Sequence, residues 1–163
     1  KDLKIVVLQN AIDGLIATFY RQTLFADYEY QAHDLGVNGE PITCDSLSNI
    51  MKGLYKQYYD IDLNNEPYKE FVWAYIPHLF HTPFYVYQYA TSFASSLAIY
   101  EKIKNNEPNA FENYLSLLKA GGSDYPVEIV KRAGVDLTKK ESFMAVVNRV
   151  SQLVDELEKL LKE

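Results

Sequence analysis

The residues best suited to chemistry lie in one uncharged segment, residues 71–100, although 23% of the chain is charged. This segment contains two of the three histidines, the only tryptophan and five tyrosines, namely His78, His81, Trp73, Tyr75, Tyr85, Tyr87, Tyr89 and Tyr100. Imidazole and phenol groups can donate hydrogen bonds to a reacting carbonyl without the desolvation cost of a buried ion. The segment is therefore typical of a wall in a substrate cleft, and aromatic core packing is the alternative.

The two histidines of this segment could be read as metal ligands. His78 and His81 are three residues apart, a spacing that places two imidazoles on one metal if the backbone is helical. Pro77 and Pro83 bracket them and push the preceding residues out of helical dihedrals, and no third Cys or His lies nearby. We therefore predict no metal site in this chain. The histidines are either satisfied loop residues or donors to a substrate carbonyl or oxyanion.

Three tyrosines alternate within the helix that the sequence predicts after Pro83. Tyr85 and Tyr89 would be one helical turn apart, so their phenols would share a face. Tyr87 would point elsewhere, which favours a structural role. A helix that is apolar or aromatic all round is buried, so this helix is predicted at the centre of the fold.

Proline, glycine and capping residues divide the chain into helices, with no alternating run typical of a strand. Thr43 or Asp45 is a candidate N-cap, Thr82 with Pro83 has the pattern of a helix start, and Thr138 with Glu141 has that of a capping box. We predict an all-α bundle of about six to seven helices. They span roughly residues 5–35, 43–58, 67–77, 83–104, 108–118, 126–134 and 138–161.

Length and composition narrow the function classes. A chain of 163 residues has the size of one helical domain, predicted over 1–163. The net charge is −6 and the basic residues are scattered, which excludes an electrostatic footprint for nucleic acid. The single cysteine, Cys44, predicts no internal disulfide and a cytoplasmic location. The helix after Pro83 is too short and too polar to predict a membrane span.

Three blocks of the sequence resemble the oligoendopeptidase F family, zinc metallopeptidases related to thimet oligopeptidase. The first is FYRQTLFA at residues 19–26, and the second is IPH at 76–78 followed by PFYVYQYAT at 83–91. The third is AGGSDYP at 120–126 followed by AGVD at 133–136. The blocks occur in the family's order and cover nearly the whole chain, which makes the resemblance specific.

The resemblance implies the C-terminal part of a larger, mostly helical cytosolic peptidase that hydrolyses short peptides. Zinc in that family is held by the histidines of HExxH and by a downstream glutamate, and no HExxH occurs in this sequence. Zinc is therefore expected in the full-length enzyme, with none bound by this chain, which should be inactive alone. The matching positions imply substrate-binding and oxyanion-stabilising roles for His78, Tyr85 and Tyr89, while His81 falls at a variable position.

The expected partners follow from this interpretation. They are short peptide substrates and the missing N-terminal part of the same enzyme, without nucleic acid or membrane. The chain begins at Lys1 without a methionine, which also suggests a piece of a longer protein. Cleft surface exposed in such a fragment would favour self-association. The alternative function is a stand-alone helical module that binds a peptide or small ligand through the uncharged segment.

Overall fold

The computed structural model describes residues 1–162, and their regular structure is entirely helical, which confirms the predicted all-α class. The α-helices within this range are α1 (Asp2–Leu15), α2 (Arg21–Val37), α3 (Cys44–Tyr59), α4 (His78–His81), α5 (Tyr87–Lys104), α6 (Ala110–Ala120), α7 (Pro126–Arg132) and α8 (Glu141–Lys162). A π-helical turn, Ile16–Tyr20, joins α1 to α2, and 3₁₀ helices span Leu63–Asn65 and Lys69–Tyr75. The short helix predicted between Pro67 and Pro77 is thus a 3₁₀ helix.

The described residues form two compact units. The terminal unit comprises residues 1–19 and 89–162, and the central unit comprises Tyr20–Gln88. That residues 1–163 form a single domain stays a prediction.

The core of the terminal unit lies between α1 and α8. Apolar residues recur along one face of α8 at helical spacing, and burying such a stripe is what holds an amphipathic helix in place. The buried members of this cluster are Leu8, Leu15, Ala94, Val146 and Leu153. A second cluster of the same unit joins α5 to the segment that follows α7, with Ile99, Ala133 and Val135 buried.

The predicted capping box of α8 is wrong. The helix begins at Glu141, so Glu141 is its first residue and not the third, as a capping box with Thr138 requires. Instead, the Thr138 amide and hydroxyl both donate to Asp136 Oδ1, at 3.0 and 2.6 Å. An aspartate that accepts from the residue two positions later forms an Asx turn, and this local bond competes with capping for the same threonine.

The central unit is built on α2 and α3. Its buried core contains Leu24, Phe25, Tyr28, Met51, Leu54, Val72, Ile76 and Val86. The sequence offers Thr43 and Asp45 as N-caps of α3, and the structure shows that Thr43 is the cap. The Thr43 amide donates to Ser46 Oγ at 2.9 Å, and the Ser46 amide donates to Thr43 Oγ1 at 3.1 Å, which completes a capping box.

The predicted helix start at Pro83 is also wrong. The helix α5 begins four residues later, at Tyr87. Phe84 has a φ of 58°, in the left-handed region, which no α-helix can include. Tyr85 therefore precedes the helix, so the prediction that Tyr85 and Tyr89 share a helical face fails. The predicted burial of this helix is confirmed only in part. Ala90 and Ala94 are buried, but Tyr87 is 48% exposed.

One helical segment has the length and composition of a membrane span. Within the described residues it is Asp2–Val37, which contains an 18-residue window with a mean hydropathy of 1.3, and α5 does not meet the same criterion. Core helices of soluble proteins and signal sequences satisfy the same criterion. That the chain does not contact a membrane stays a prediction.

A hydrogen bond between α3 and α2 makes the central unit sensitive to alkaline pH. The Tyr58 hydroxyl donates to Asp27 Oδ2 at 3.0 Å, and burial together with this carboxyl group raises the pKa of Tyr58 to about 12. An unfolded tyrosine ionises near pH 10. The stabilising contribution of Tyr58 is therefore complete below pH 10 and is lost as the pH rises towards 12. We expect the urea concentration at the unfolding midpoint to fall less between pH 9.5 and pH 11.5 in Tyr58→Phe than in the wild-type protein. An equal fall in both proteins would contradict the stabilising role of the Tyr58 hydroxyl.

Candidate substrate-binding site

Two of the predicted site residues are stacked in the central unit. Pro77 fixes φ at −64° and opens the single turn of α4, whose first residue is His78. The His78 imidazole lies parallel to the Tyr85 ring, with centroids 5.4 Å apart and planes 8° apart. Stacking uses the faces of the two rings, and each ring carries polar atoms at its edge. The structure thus brings His78 and Tyr85 together, although 7 positions separate them in the sequence.

Tyr85 is carried by a non-helical loop, residues 82–86, that α2 anchors. The Phe84 amide donates to Oε1 of Glu29 at 2.6 Å. Glu29 lies on α2 and is only 3% exposed. One turn later on the same helix, the His33 ring contacts the Phe84 ring, with centroids 4.6 Å apart. Two α2 side chains therefore hold the loop immediately before Tyr85.

Glu29 is not among the residues predicted from the sequence. A signal was present, because Glu29 follows Phe25 by four positions and adjoins Tyr28, so it falls on the buried face of α2. A carboxyl group on an apolar helix face needs a buried partner. That partner, the Phe84 amide, is 55 residues away, and no local pattern could identify it.

Around this pair, aromatic side chains are partly open to solvent. Tyr85 is 40% exposed, Phe84 50% and Phe80 54%. The Trp73 ring is tilted against Phe80 at a centroid distance of 6.4 Å, and its indole N–H donates to Ser48 Oγ at 3.4 Å. Such a surface can contact apolar side chains of a ligand while tyrosine and histidine edges supply polar contacts.

A cavity of about 420 Å³ opens beside the loop anchor within the central unit. Its lining is mostly apolar and includes Glu29, His33, Val37, Trp73, Leu79 and Phe80. Tyr28 also contributes to the lining, and its hydroxyl is buried without a hydrogen-bond partner among residues 1–162. Burial raises the pKa of Tyr28, so this hydroxyl keeps its proton. The cavity volume lies in the range of small-molecule sites.

Two further residues of the uncharged segment were considered as candidates from the sequence. Tyr89 belongs to the terminal unit, on the first turn of α5, and is 37% exposed. His81 ends α4 and is exposed. The structure leaves the substrate-binding and oxyanion roles of His78, Tyr85 and Tyr89 as predictions.

The described residues do not fit a zinc site. Among residues 1–162, no group of three or more His, Cys, Asp or Glu side chains is arranged to hold a metal ion. His78 and His81 share α4 without a third ligand of this kind in the described range. That the chain alone binds no zinc stays a prediction.

Comparisons with known proteins agree with the three sequence blocks. The sequence model of peptidase family M3 matches residues 2–149. An oligoendopeptidase F homolog of Borreliella burgdorferi is 40% identical over 151 residues, covering 93% of this chain and 25% of its own length. Oligopeptidase PepF of Bacillus subtilis is 34% identical over 158 residues, covering 97% of this chain and 23% of its own length.

Solved structures give the same result. Oligoendopeptidase-F from Enterococcus faecium superposes with a TM-score of 0.92 at 40% identity, over 98% of this chain and 30% of that protein. A putative peptidase from Chlamydophila abortus gives a TM-score of 0.85 at 38% identity, over 96% of this chain and 26% of that protein. The chain therefore spans about a quarter of the length of the curated relatives that it matches.

Proposed function

This chain belongs to peptidase family M3, and we propose that it is the C-terminal helical part of a zinc-dependent oligopeptidase that hydrolyses short peptides in the cytoplasm. Its partners would be those peptides and the N-terminal part of the same enzyme. The zinc ligands would come from that other part, because the described residues of this chain do not fit a zinc site. The chain would be inactive alone.

The role of this chain would be to bind the substrate and to stabilise the oxyanion. His78 and Tyr85 would donate hydrogen bonds to the scissile carbonyl oxygen as negative charge develops on it. Donors held in place before the reaction are effective because they need no reorganisation during it. Tyr89 would donate to the substrate backbone, and the partly exposed rings of Phe80 and Phe84 would contact apolar substrate side chains.

One observation supports this proposal above the others. His78 is half-buried and Tyr85 is 40% exposed where their rings stack, and Glu29 anchors the loop that carries Tyr85. Two hydrogen-bonding rings in a fixed, partly exposed arrangement are suited to receive a ligand. Core packing does not require either polar edge.

The proposal is tested by comparing the isolated chain with the full-length protein. We expect no cleavage of a fluorogenic peptide by the isolated chain and no stoichiometric zinc in it by mass spectrometry, while the full-length protein shows both. Circular dichroism controls that the isolated chain is helical. Peptide cleavage by the isolated chain, or one zinc held by its side chains, would overturn the division of the site.

The cavity of about 420 Å³ favours a second candidate, a stand-alone module that binds a peptide or small ligand. The two candidates differ in the native reading frame upstream of Lys1. An HExxH sequence there supports the peptidase. A native gene without that motif supports the binding module.

A further inference from the structure

We infer that Glu29 is a positioning residue, which sets the geometry of the His78–Tyr85 pair through the backbone of Phe84. The catalytic consequence of this inference rests on the proposed function. Its structural consequence does not rest on that function. Turnover tests the catalytic consequence, and amide hydrogen exchange tests the structural one.

The first observation is the hydrogen bond itself. Glu29 is 3% exposed, and its Oε1 accepts a hydrogen bond from the Phe84 amide nitrogen at 2.6 Å. A buried carboxyl group is costly unless hydrogen bonds compensate for the lost water. A carboxyl group in this position is therefore poorly explained by the stability of α2 alone, since an apolar residue would fill the same space without that cost.

The second observation is the conformation that this bond stabilises. Phe84 has a φ of 58°, which is unfavourable for residues other than glycine and persists only where surrounding contacts enforce it. Two contacts from α2 do so, the Glu29 hydrogen bond to the amide and the His33 ring against the Phe84 ring. Without the hydrogen bond, Phe84 would relax towards negative φ and redirect the chain at Tyr85.

The third observation is where the strained residue lies. Phe84 directly precedes Tyr85, whose ring stacks on His78. A change in φ at Phe84 rotates everything that follows in the loop before α5 begins at Tyr87. Displacements of about 1 Å at a reacting centre can lower rates by roughly 10²-fold. Glu29 thus controls the pair without touching the substrate.

The chain offers a matched control on the same helix. Asp27 lies two positions before Glu29, and its carboxyl group accepts from Tyr58 and Gln31 instead of from the loop. Asp27→Asn therefore alters α2 packing without altering the Phe84 bond. A purely structural effect should be similar in variants of Asp27 and Glu29.

The kinetic experiment uses the full-length enzyme with Glu29→Leu, Glu29→Gln and Asp27→Asn. We expect Glu29→Leu to lower kcat roughly ten-fold or more, because the Phe84 amide loses its acceptor. Glu29→Gln keeps an acceptor oxygen and should stay within about three-fold of the wild type, as should Asp27→Asn.

The structural experiment is amide hydrogen exchange of the same proteins over residues 82–86. We expect roughly ten-fold faster exchange at Phe84 in Glu29→Leu and unchanged exchange in Asp27→Asn. Unchanged exchange in Glu29→Leu would overturn the inference. A Glu29→Gln enzyme with the same loss of kcat as Glu29→Leu would overturn it too. If instead His78→Phe and Tyr85→Phe leave kcat unchanged, the proposed function fails, and the exchange result still decides the role of Glu29.

Discussion

Replacing Tyr85 by phenylalanine in the full-length enzyme should lower kcat by roughly 10²–10³-fold, the usual cost of losing one oxyanion donor. The change removes only the hydroxyl group. The ring that stacks on His78 at a centroid distance of 5.4 Å remains, so the stack is retained. Because the donor is proposed to act mainly in the transition state, KM should change much less than kcat.

The matched control for Tyr85 is Tyr100→Phe. Tyr100 lies on α5 and is exposed, so this variant loses a phenol that is not part of the proposed site. Its kcat should equal that of the wild type, and both variants should retain zinc. A Tyr85→Phe enzyme with the turnover of Tyr100→Phe would remove the catalytic role of Tyr85.

Replacing His78 by phenylalanine should lower kcat on a similar scale, roughly 10²-fold or more. Phenylalanine keeps a flat ring against Tyr85 and removes both ring nitrogens, so the variant separates hydrogen bonding from stacking. His78→Ala removes the stack as well and should be slower still. The measurement is steady-state cleavage of a fluorogenic peptide, with zinc content as the control for an intact metal site.

The double variant His78→Phe/Tyr85→Phe shows whether the two residues act as a unit. If both residues donate to one oxyanion, the fold-loss of kcat in the double variant should be smaller than the product of the two single fold-losses, because the effects of groups that act together are not additive. Two independent roles would give the full product. A His78→Phe enzyme with wild-type kcat would exclude His78 from the reaction.

Most helices could be predicted because nearby residues determine where they begin and end. Thr43 caps α3 through a residue three positions away, and Pro126 opens α7 at the first helical position. The apolar stripe of α8 likewise follows from spacing alone. Each of these signals needs only residues within one or two turns.

The errors occur where a distant or competing contact decides. Thr82 and Pro83 have the pattern of a helix start, yet the helix begins at Tyr87 because Phe84 is held at positive φ by Glu29. Thr138 has the pattern of a cap, but its amide and hydroxyl donate hydrogen bonds to the side chain of Asp136 instead. The candidate site could not be predicted for the same reason, because the stack of His78 on Tyr85 depends on the long-range hydrogen bond that redirects the loop.

The surface of the uncharged segment is a second departure from expectation. Its helical part was predicted to be buried, but Tyr85, Tyr87 and Tyr89 are all 37% or more exposed. Their aromatic composition alone could not separate a buried core from a surface that receives a ligand, because the same side chains suit both environments. Val72, Ile76 and Val86 supply the core instead.

The central claim is that His78 and Tyr85 stabilise the oxyanion of a peptide bond under attack. It is tested most directly by the affinity of the full-length enzyme for a phosphinic peptide, whose tetrahedral phosphinate mimics that state, and for the matching uncleaved amide peptide. Because transition-state mimics report contacts made in the transition state, the double variant should bind the phosphinic peptide roughly 10²-fold more weakly and the amide peptide within a few-fold of the wild type. Equal affinity of the wild type and the double variant for the phosphinic peptide would contradict the claim.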